Sequence, residues 1–166
     1  TDFVGMDGEN GGRYSAETLA AQCADIWGTS AADRFIVLTG GEPMLQVDDG
    51  IVDALHAAGF AIAMESNGTL PAHPGIDWLC ISPKGASQVV QRSGDELKLV
   101  WPQADVDPTA MEDWDFTHFL LQPMDMTAQK GGAEANARTL AAAMAFVMER
   151  PKWRLSLQQH KILGLA

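Results

Sequence analysis

Short apolar runs recur along the chain and alternate with segments of helical periodicity or polar loops. The runs occupy residues 34–38, 60–64, 78–81, 96–101, 116–121 and 154–157. Apolar runs of this length, bounded by glycine, proline and polar residues, are typical of buried strands. Strands that alternate with helices predict an α/β fold with a largely parallel sheet.

The segments between the strands carry helix signals of different strength. Residues 44–56 and 133–148 are predicted to be helical, and residues 107–114 a short helix that Pro108 opens. Ser15 is predicted to cap an earlier helix whose apolar face includes Cys23. We expect the inward face of the helix at 133–148 to consist of Ala137, Leu140, Ala141, Met144, Val147 and Met148.

The tip of the first run carries the strongest local feature, Thr39-Gly40-Gly41-Glu42-Pro43. Adjacent glycines let a backbone approach a ligand closely, because no side chain intervenes. The glutamate offers a carboxylate to a cationic group, and proline suits the first position of a helix. The same five residues also satisfy an ordinary tight turn between a strand and a helix.

Polar clusters follow four of the predicted strands, at residues 39–42, 65–67, 82–84 and 122–125. In open α/β sheets and in (β/α) barrels, ligands bind at the carboxyl ends of parallel strands. We therefore expect these four clusters to form one ligand site.

Composition limits the class of protein. The 166 residues fit a single domain, 1–166, and a net charge of −11 argues against a nucleic-acid groove. No apolar run approaches the roughly 18 residues that a membrane span needs. The two cysteines, Cys23 and Cys80, are far apart in sequence and are predicted to be reduced core residues of a cytoplasmic protein.

Six motifs occur together in one order that resembles a known family. They are the opening Thr1-Asp2-Phe3-Val4-Gly5, residues 38–43, Glu65-Ser66-Asn67-Gly68, Ser82-Pro83-Lys84, Gln122-Pro123-Met124-Asp125 and residues 157–162. In this order they resemble 7-carboxy-7-deazaguanine synthase, a radical S-adenosylmethionine (SAM) enzyme of queuosine and deazapurine biosynthesis. The resemblance implies a partial (β/α) barrel of the radical SAM type.

The resemblance also implies a reaction and its cofactors. A [4Fe-4S] cluster, SAM and Mg²⁺ would support the ring contraction of 6-carboxy-5,6,7,8-tetrahydropterin to 7-carboxy-7-deazaguanine, with loss of ammonia. The expected partners are the small-molecule pterin, an electron donor such as flavodoxin, and a second copy of the chain in a homodimer. Neither a nucleic acid nor a membrane is expected as a partner.

The family's site residues carry over by motif. Thr1 resembles the Mg²⁺-binding threonine, and Thr39, His160 and the carboxylate of Ala166 resemble groups that contact the pterin. Gly41 resembles the glycine at the SAM amino group, and Glu65 the acid near the SAM ribose. The remaining residues that resemble SAM contacts are Gly40, Glu42, Ser82, Pro83, Lys84, Gln122, Pro123, Met124 and Asp125.

One departure from the family is large. The three cysteines that bind the cluster would precede Thr1, and this sequence lacks them, because Cys23 and Cys80 have neither the number nor the spacing. We expect the chain to be the C-terminal portion of the enzyme, without its first strand and inactive by itself.

Several alternatives remain open at this point. Lys84 and His160 also fit solvated surface positions, and the acidic residues Asp2, Asp7 and Glu9 fit either a solvated loop or a cation site. The chain also fits another radical SAM enzyme, such as an activating enzyme for a glycyl radical partner. A third alternative is a non-catalytic module that binds SAM or a nucleotide.

Overall fold

The computed structural model describes residues 6, 8, 10–127 and 131–164, without the side chains of residues 160 and 162. Within these residues, six strands form one sheet in chain order, and every neighbouring pair is parallel. They are β1 (Phe35–Leu38), β2 (Ala61–Ser66), β3 (Trp78–Ile81), β4 (Ser93–Trp101), β5 (Asp115–Pro123) and β6 (Trp153–Leu155). The predicted α/β fold with a parallel sheet is confirmed.

The strand order explains why the described helices pack against one face of the sheet. Crossovers between parallel strands are almost always right-handed, so a sheet that always adds its next strand on the same side keeps its connections on one face. This is the arrangement of a (β/α) barrel rather than of a doubly wound sheet, and the six strands form an open barrel segment.

Four α-helices occur in the described residues: α1 (Ala16–Trp27), α2 (Asp49–Ala57), α3 (Gly132–Glu149) and α4 (Gln159–Leu163). Ser15 caps α1 as predicted, because its side chain accepts a hydrogen bond from the Thr18 amide. Short 3-10 helices span Pro43–Leu45 and Pro108–Met111.

The predicted continuous helix over residues 44–56 is wrong. A 3-10 turn capped by Glu42 comes first, and α2 begins only at Asp49. The Asp48 side chain accepts from the Ile51 amide at 3.1 Å, which makes Asp48 an N-cap with extended backbone. An N-cap residue has non-helical dihedral angles, so a second cap inside the predicted segment divides it.

The covered face of the sheet is the apolar core. Its fully buried strand side chains are Ile62, Met64, Ile81, Leu97, Leu99 and Leu121. Strand register places every second residue of the same strands on the open face, where neighbouring positions include Glu65, Cys80, Glu96 and His118. Alternation therefore divides the strand residues between a core and an open face, and the open face carries the charged side chains of Glu65 and Glu96.

The expectation that the first strand is buried is wrong for half of its residues. Phe35 and Val37 are 48% and 46% exposed, whereas Ile36 and Leu38 pack against the core. Phe35 and Val37 lie on the open face. An apolar run in the sequence therefore does not show that a strand is buried on both of its faces.

The predicted inward face of α3 is correct only for Val147, which packs against the core, and is wrong for the other five residues. Leu140, Met144 and Met148 are exposed, the last at 81%, and the residues that α3 buries include Thr139 and Ala143. A small residue lets the helix lie close to the sheet, and the Thr139 hydroxyl donates to the Met124 carbonyl at 3.1 Å. Within the described part of the chain, the helices are too short or too polar to cross a membrane.

Candidate functional site

The carboxyl ends of the strands converge on one edge of the sheet, which we call the carboxyl edge. Glu42, after β1, ties this edge together: its carboxylate accepts from the Ser66 hydroxyl and from the Asn67 amide, both at 2.8 Å. It also accepts from the Met44 amide at 3.1 Å. The Glu42 carboxylate thus joins the tips of β1 and β2, in addition to capping the 3-10 turn.

The two glycines at the tip of β1 lie beside open space. Gly40 has φ +121°, a backbone conformation that favours glycine, whereas φ of Gly41 lies outside that region. Among the described residues, a Cβ atom at either position would meet no atom within 4 Å beyond those of the adjacent residues. The protein itself would accommodate a side chain at Gly41, so the space above this backbone can take a ligand.

A polar cavity of about 380 Å³ opens next to β2, β3 and β4. Its lining residues are Glu65, Ser82, Lys84, Lys98, Val100, Gln122, Ser156, Leu157 and Gln158. The Lys98 ammonium group donates to a Glu65 carboxylate oxygen at 2.6 Å, and Lys84 donates to the Ser82 hydroxyl at 2.8 Å. Two cations, a carboxylate, two hydroxyls and two carboxamides suit a small ligand that carries both charges and hydroxyl groups.

Electrostatics inside this cavity favour the ionised Lys98. Burial acts to lower its pKa, but the hydrogen bond to Glu65 and the charges of neighbouring groups outweigh burial, so the pKa of Lys98 is raised overall. Beside it, burial raises the pKa of the Cys80 thiol to about 12. Cys80 is therefore an uncharged, unreactive thiol at neutral pH.

A second cavity, of about 260 Å³, lies between the end of β5 and helices α3 and α4. The residues that line it include Gln122, Pro123, Met124 and Asp125 together with Asn136 and Lys161. Asp125 accepts from the amide of Thr127 at 2.9 Å and is paired with Lys161. These bonds, with that from Lys161 the strongest, hold the pKa of Asp125 well below its usual range.

The structure brings most of the predicted site residues to one edge. Glu65, Ser82, Lys84 and Gln122 line the polar cavity, and residues 122–125 line the second one. Lys84 is exposed but contributes its ammonium group to the cavity. Thr1, Ala166, the side chain of His160 and the acidic residues Asp2, Asp7 and Glu9 lie outside the described residues.

Sequence reasoning missed Lys98, Ser156 and Gln158. Lys98 lies inside a run that was interpreted only as an apolar strand, yet Glu96, Lys98 and Val100 alternate there with Leu97 and Leu99. Such period-2 alternation indicates one polar and one apolar face and was sufficient to place Lys98 on the open face.

The thiols of the chain do not fit an iron–sulfur cluster. Such a cluster needs several cysteine thiolates close together, whereas Cys23 is buried in α1 and Cys80 in β3. No disulfide joins them, so the predicted reduced core cysteines are confirmed. Across residues 6, 8, 10–127 and 131–164, no three histidine, cysteine or acidic side chains cluster as a metal site.

Comparison with known proteins finds close relatives of one kind. Proteins named 7-carboxy-7-deazaguanine synthase from Bordetella pertussis, Bradyrhizobium diazoefficiens and Caulobacter vibrioides are 51%, 53% and 52% identical to this chain. Each match covers 99% of this chain and 76% of the relative. No protein-family model matches the chain.

A solved structure has the same fold. The crystal structure of QueE from Escherichia coli superposes with a TM-score of 0.63, covering 93% of this chain and 69% of that one at 24% sequence identity. This similarity supports the open barrel segment described above.

Proposed function

Because the chain belongs to the 7-carboxy-7-deazaguanine synthase family, we propose that it is the part of that enzyme which binds SAM and the pterin. The reaction is the ring contraction of 6-carboxy-5,6,7,8-tetrahydropterin to 7-carboxy-7-deazaguanine, with loss of ammonia, in queuosine and deazapurine biosynthesis. The observation that carries the proposal is identity above 50% over 99% of the chain. Short shared motifs alone would not separate this enzyme from other radical SAM enzymes.

SAM is proposed to bind along the carboxyl edge. Its methionine moiety would lie over Gly40 and Gly41, where the chain leaves open space, and its ammonium group would meet backbone oxygens there. The Glu42 carboxylate already accepts three hydrogen bonds from its own chain. We therefore assign it the role of holding the edge in shape rather than that of binding the ammonium group directly.

The polar cavity is proposed to take the ribose end of SAM. Carboxylates are common acceptors for ribose hydroxyls, and Glu65 lines the cavity. Ser82, Pro83 and Lys84 would line one side of the ligand, and residues 122–125 the other. SAM and its iron–sulfur cluster supply the radical chemistry when bound, and the chain's own part is to bind, orient and exclude water.

The remaining assignments rest on the family alone. Thr1 is proposed to bind Mg²⁺, and Thr39, His160 and the Ala166 carboxylate to bind the pterin. The cluster is proposed to have its ligands outside this chain, since Cys23 and Cys80 do not fit it. We also propose that residues 1–166 form one domain of a cytoplasmic homodimer that receives electrons from a donor such as flavodoxin.

An activity assay tests the proposal. The full-length gene product is reconstituted anaerobically with iron and sulfide, reduced, and incubated with SAM and the carboxy-tetrahydropterin, and the product is identified by mass spectrometry. We expect carboxy-deazaguanine and released ammonia, and neither when SAM is omitted. The 166-residue chain by itself should show no cluster absorbance and no turnover.

Two outcomes would contradict the proposal. A reconstituted protein that cleaves SAM but leaves the pterin unchanged would be a different radical SAM enzyme. A full-length protein that binds SAM without any reductive cleavage would be a non-catalytic binding module.

A further inference from the structure

Lys98 is a cation on the open face that no motif of the family accounts for. Its side chain is 17% exposed, and its ammonium group donates to Oε1 of Glu65 at 2.6 Å. Glu65 itself is 43% exposed and lines the polar cavity. A largely buried lysine thus holds a carboxylate that points towards a ligand-sized space.

The ion pair spans three strands. Register pairs Glu65 of β2 with Cys80 of β3, and Cys80 with Glu96 of β4, so Lys98 lies one alternation nearer the carboxyl edge than Glu96. Strands β2 and β4 are two strand spacings apart, about 9.6 Å. Only two long side chains that extend towards each other can bridge such a distance. The short side chain of Cys80, which is 3% exposed, leaves room for them to do so.

The pair leaves Glu65 able to accept a further hydrogen bond. Lys98 donates to Oε1, and within the described residues no donor is bound to Oε2. A carboxylate fixed through one oxygen keeps the other in a defined direction, which reduces the conformational entropy that binding must otherwise remove. Taking the Lys98 ammonium group out of water costs free energy that offsets much of the attraction to Glu65, so a simple stabilising role is a weak explanation for the pair.

We propose that Lys98 is a positioning residue that orients the Glu65 carboxylate towards the ribose hydroxyls of SAM. The inference rests on the proposed function, because it takes SAM as the ligand at the carboxyl edge. It adds a residue of β4 to the four predicted clusters at the ends of β1, β2, β3 and β5. Lys98 acts through Glu65 and need not contact the ligand itself.

A double-mutant cycle on the full-length reconstituted protein tests this role. The variants are Lys98→Met, Glu65→Gln and the double variant, with SAM affinity measured by calorimetry and folding by the thermal unfolding midpoint. Loss of a hydrogen bond to a charged group predicts about tenfold weaker SAM binding for Lys98→Met. Because Lys98 acts through Glu65, the double variant should bind SAM within about twofold of Glu65→Gln alone.

Two further variants serve as controls. Lys98→Arg keeps the charge and the reach and should recover most of the SAM affinity. Lys152→Met removes a lysine at the opposite, amino-terminal edge of the sheet, just before β6, and should leave SAM affinity unchanged. If Lys98→Met fails to fold, Lys98→Gln takes its place in the cycle.

The possible results separate this inference from the proposed function. Unchanged SAM affinity in Lys98→Met would overturn the positioning role, and so would additive losses of binding free energy in the double variant. Turnover by the wild-type protein would still support the proposed function in either case. A folded Lys98→Arg as weak as Lys98→Met would overturn the positioning role too. A wild-type protein that does not bind SAM would overturn both.

Discussion

The two faces of the sheet are built from alternate residues of the same strands, yet they serve different purposes. On the covered face, Leu97 and Leu99 of β4 are fully buried against the helices. On the open face of the same strand, Glu96 binds the indole N–H of Trp78 at 3.1 Å, and Lys98 binds Glu65. The covered face stabilises the fold through burial, and the open face holds polar groups in place for a ligand. Substitutions on the two faces should therefore fail in different assays.

The largest expected effect is on the covered face. Leu97→Ala removes a fully buried side chain, and a cavity of this kind should lower the free energy of unfolding by about 3 kcal/mol. Leu120→Ala, on the open face of the neighbouring strand and only partly buried, should cost about 1 kcal/mol. Urea unfolding of both variants measures the difference. Equal losses would mean that the open face contributes to the core as much as the covered face does.

The next effect separates two glycines. Gly41→Val should weaken SAM binding about 100-fold, or about 2.7 kcal/mol. Its unfolding midpoint should stay near that of the wild type, since a Cβ at Gly41 meets no described atom within 4 Å beyond the adjacent residues. Gly68→Ala should instead lower the free energy of unfolding by about 2 kcal/mol, because its φ is +76° and a Cβ would lie 2.8 Å from the Ile81 side chain. Calorimetry and thermal unfolding on the same preparations test both. Normal SAM affinity in Gly41→Val would show that the Gly-Gly turn has a structural role only and does not contact SAM.

A smaller effect depends on pH. The hydrogen bonds from Lys161 and Thr127 lower the pKa of Asp125 in the folded state, so its ionised form is preferred there. Its contribution to stability is fully present above the unfolded pKa of about 3.9 and is lost as the pH falls further towards the folded pKa. The thermal unfolding midpoint should therefore fall less between pH 5 and pH 2 in Asp125→Asn than in the wild type. The control Asp113→Asn, at an exposed position, should show a smaller change in this slope. Equal profiles for Asp125→Asn and the wild type would contradict the pairing with Lys161.

The smallest effect concerns Cys80, a thiol on the open face. Because burial raises its pKa to about 12, native protein at pH 8 should not react with iodoacetamide at Cys80, whereas unfolded protein should react fully. Peptide mapping after brief alkylation measures this. Rapid labelling in the native state would contradict the burial of Cys80.

Much of the fold followed from the sequence, because strand length and spacing are local features. β3 was predicted with the bounds that the structure shows, and the other strands differ by a few residues at their ends. The wrong predictions concern segments in which two local sequence signals disagree, such as a capping residue and hydrophobic periodicity. Asp48 interrupts a segment that hydrophobic periodicity alone would continue, because its extended backbone is not helical and its side chain caps the helix that follows.

The face of α3 shows a second limit. The helix is rich in alanine on all sides, so the larger residues Leu140 and Met144 determined the predicted inward face. The structure buries the smaller Thr139 and Ala143, because close approach to the sheet favours small side chains and Thr139 can bond a carbonyl there. Which face of such a helix is buried depends on its neighbours and not on its own periodicity.

The candidate site was predicted in outline and not in its contacts. The four polar clusters were placed by their positions directly after predicted strands, because parallel strands bring their carboxyl ends to one edge. The ties between distant residues, such as Glu42 with Asn67 and Glu65 with Lys98, depend on strand register, which no local pattern encodes. Lys98 shows that alternation within a strand indicates which polar residues share a face with a site.

Hydrogen–deuterium exchange of the full-length reconstituted protein, with and without SAM, tests most directly whether the carboxyl edge is the ligand site. We predict slower exchange in peptides that cover residues 39–42, 65–67, 82–84 and 122–125, and unchanged exchange at the amino-terminal ends of β4, β5 and β6. SAM-dependent protection at those amino-terminal ends, or none at the four clusters while SAM is bound, would contradict the account.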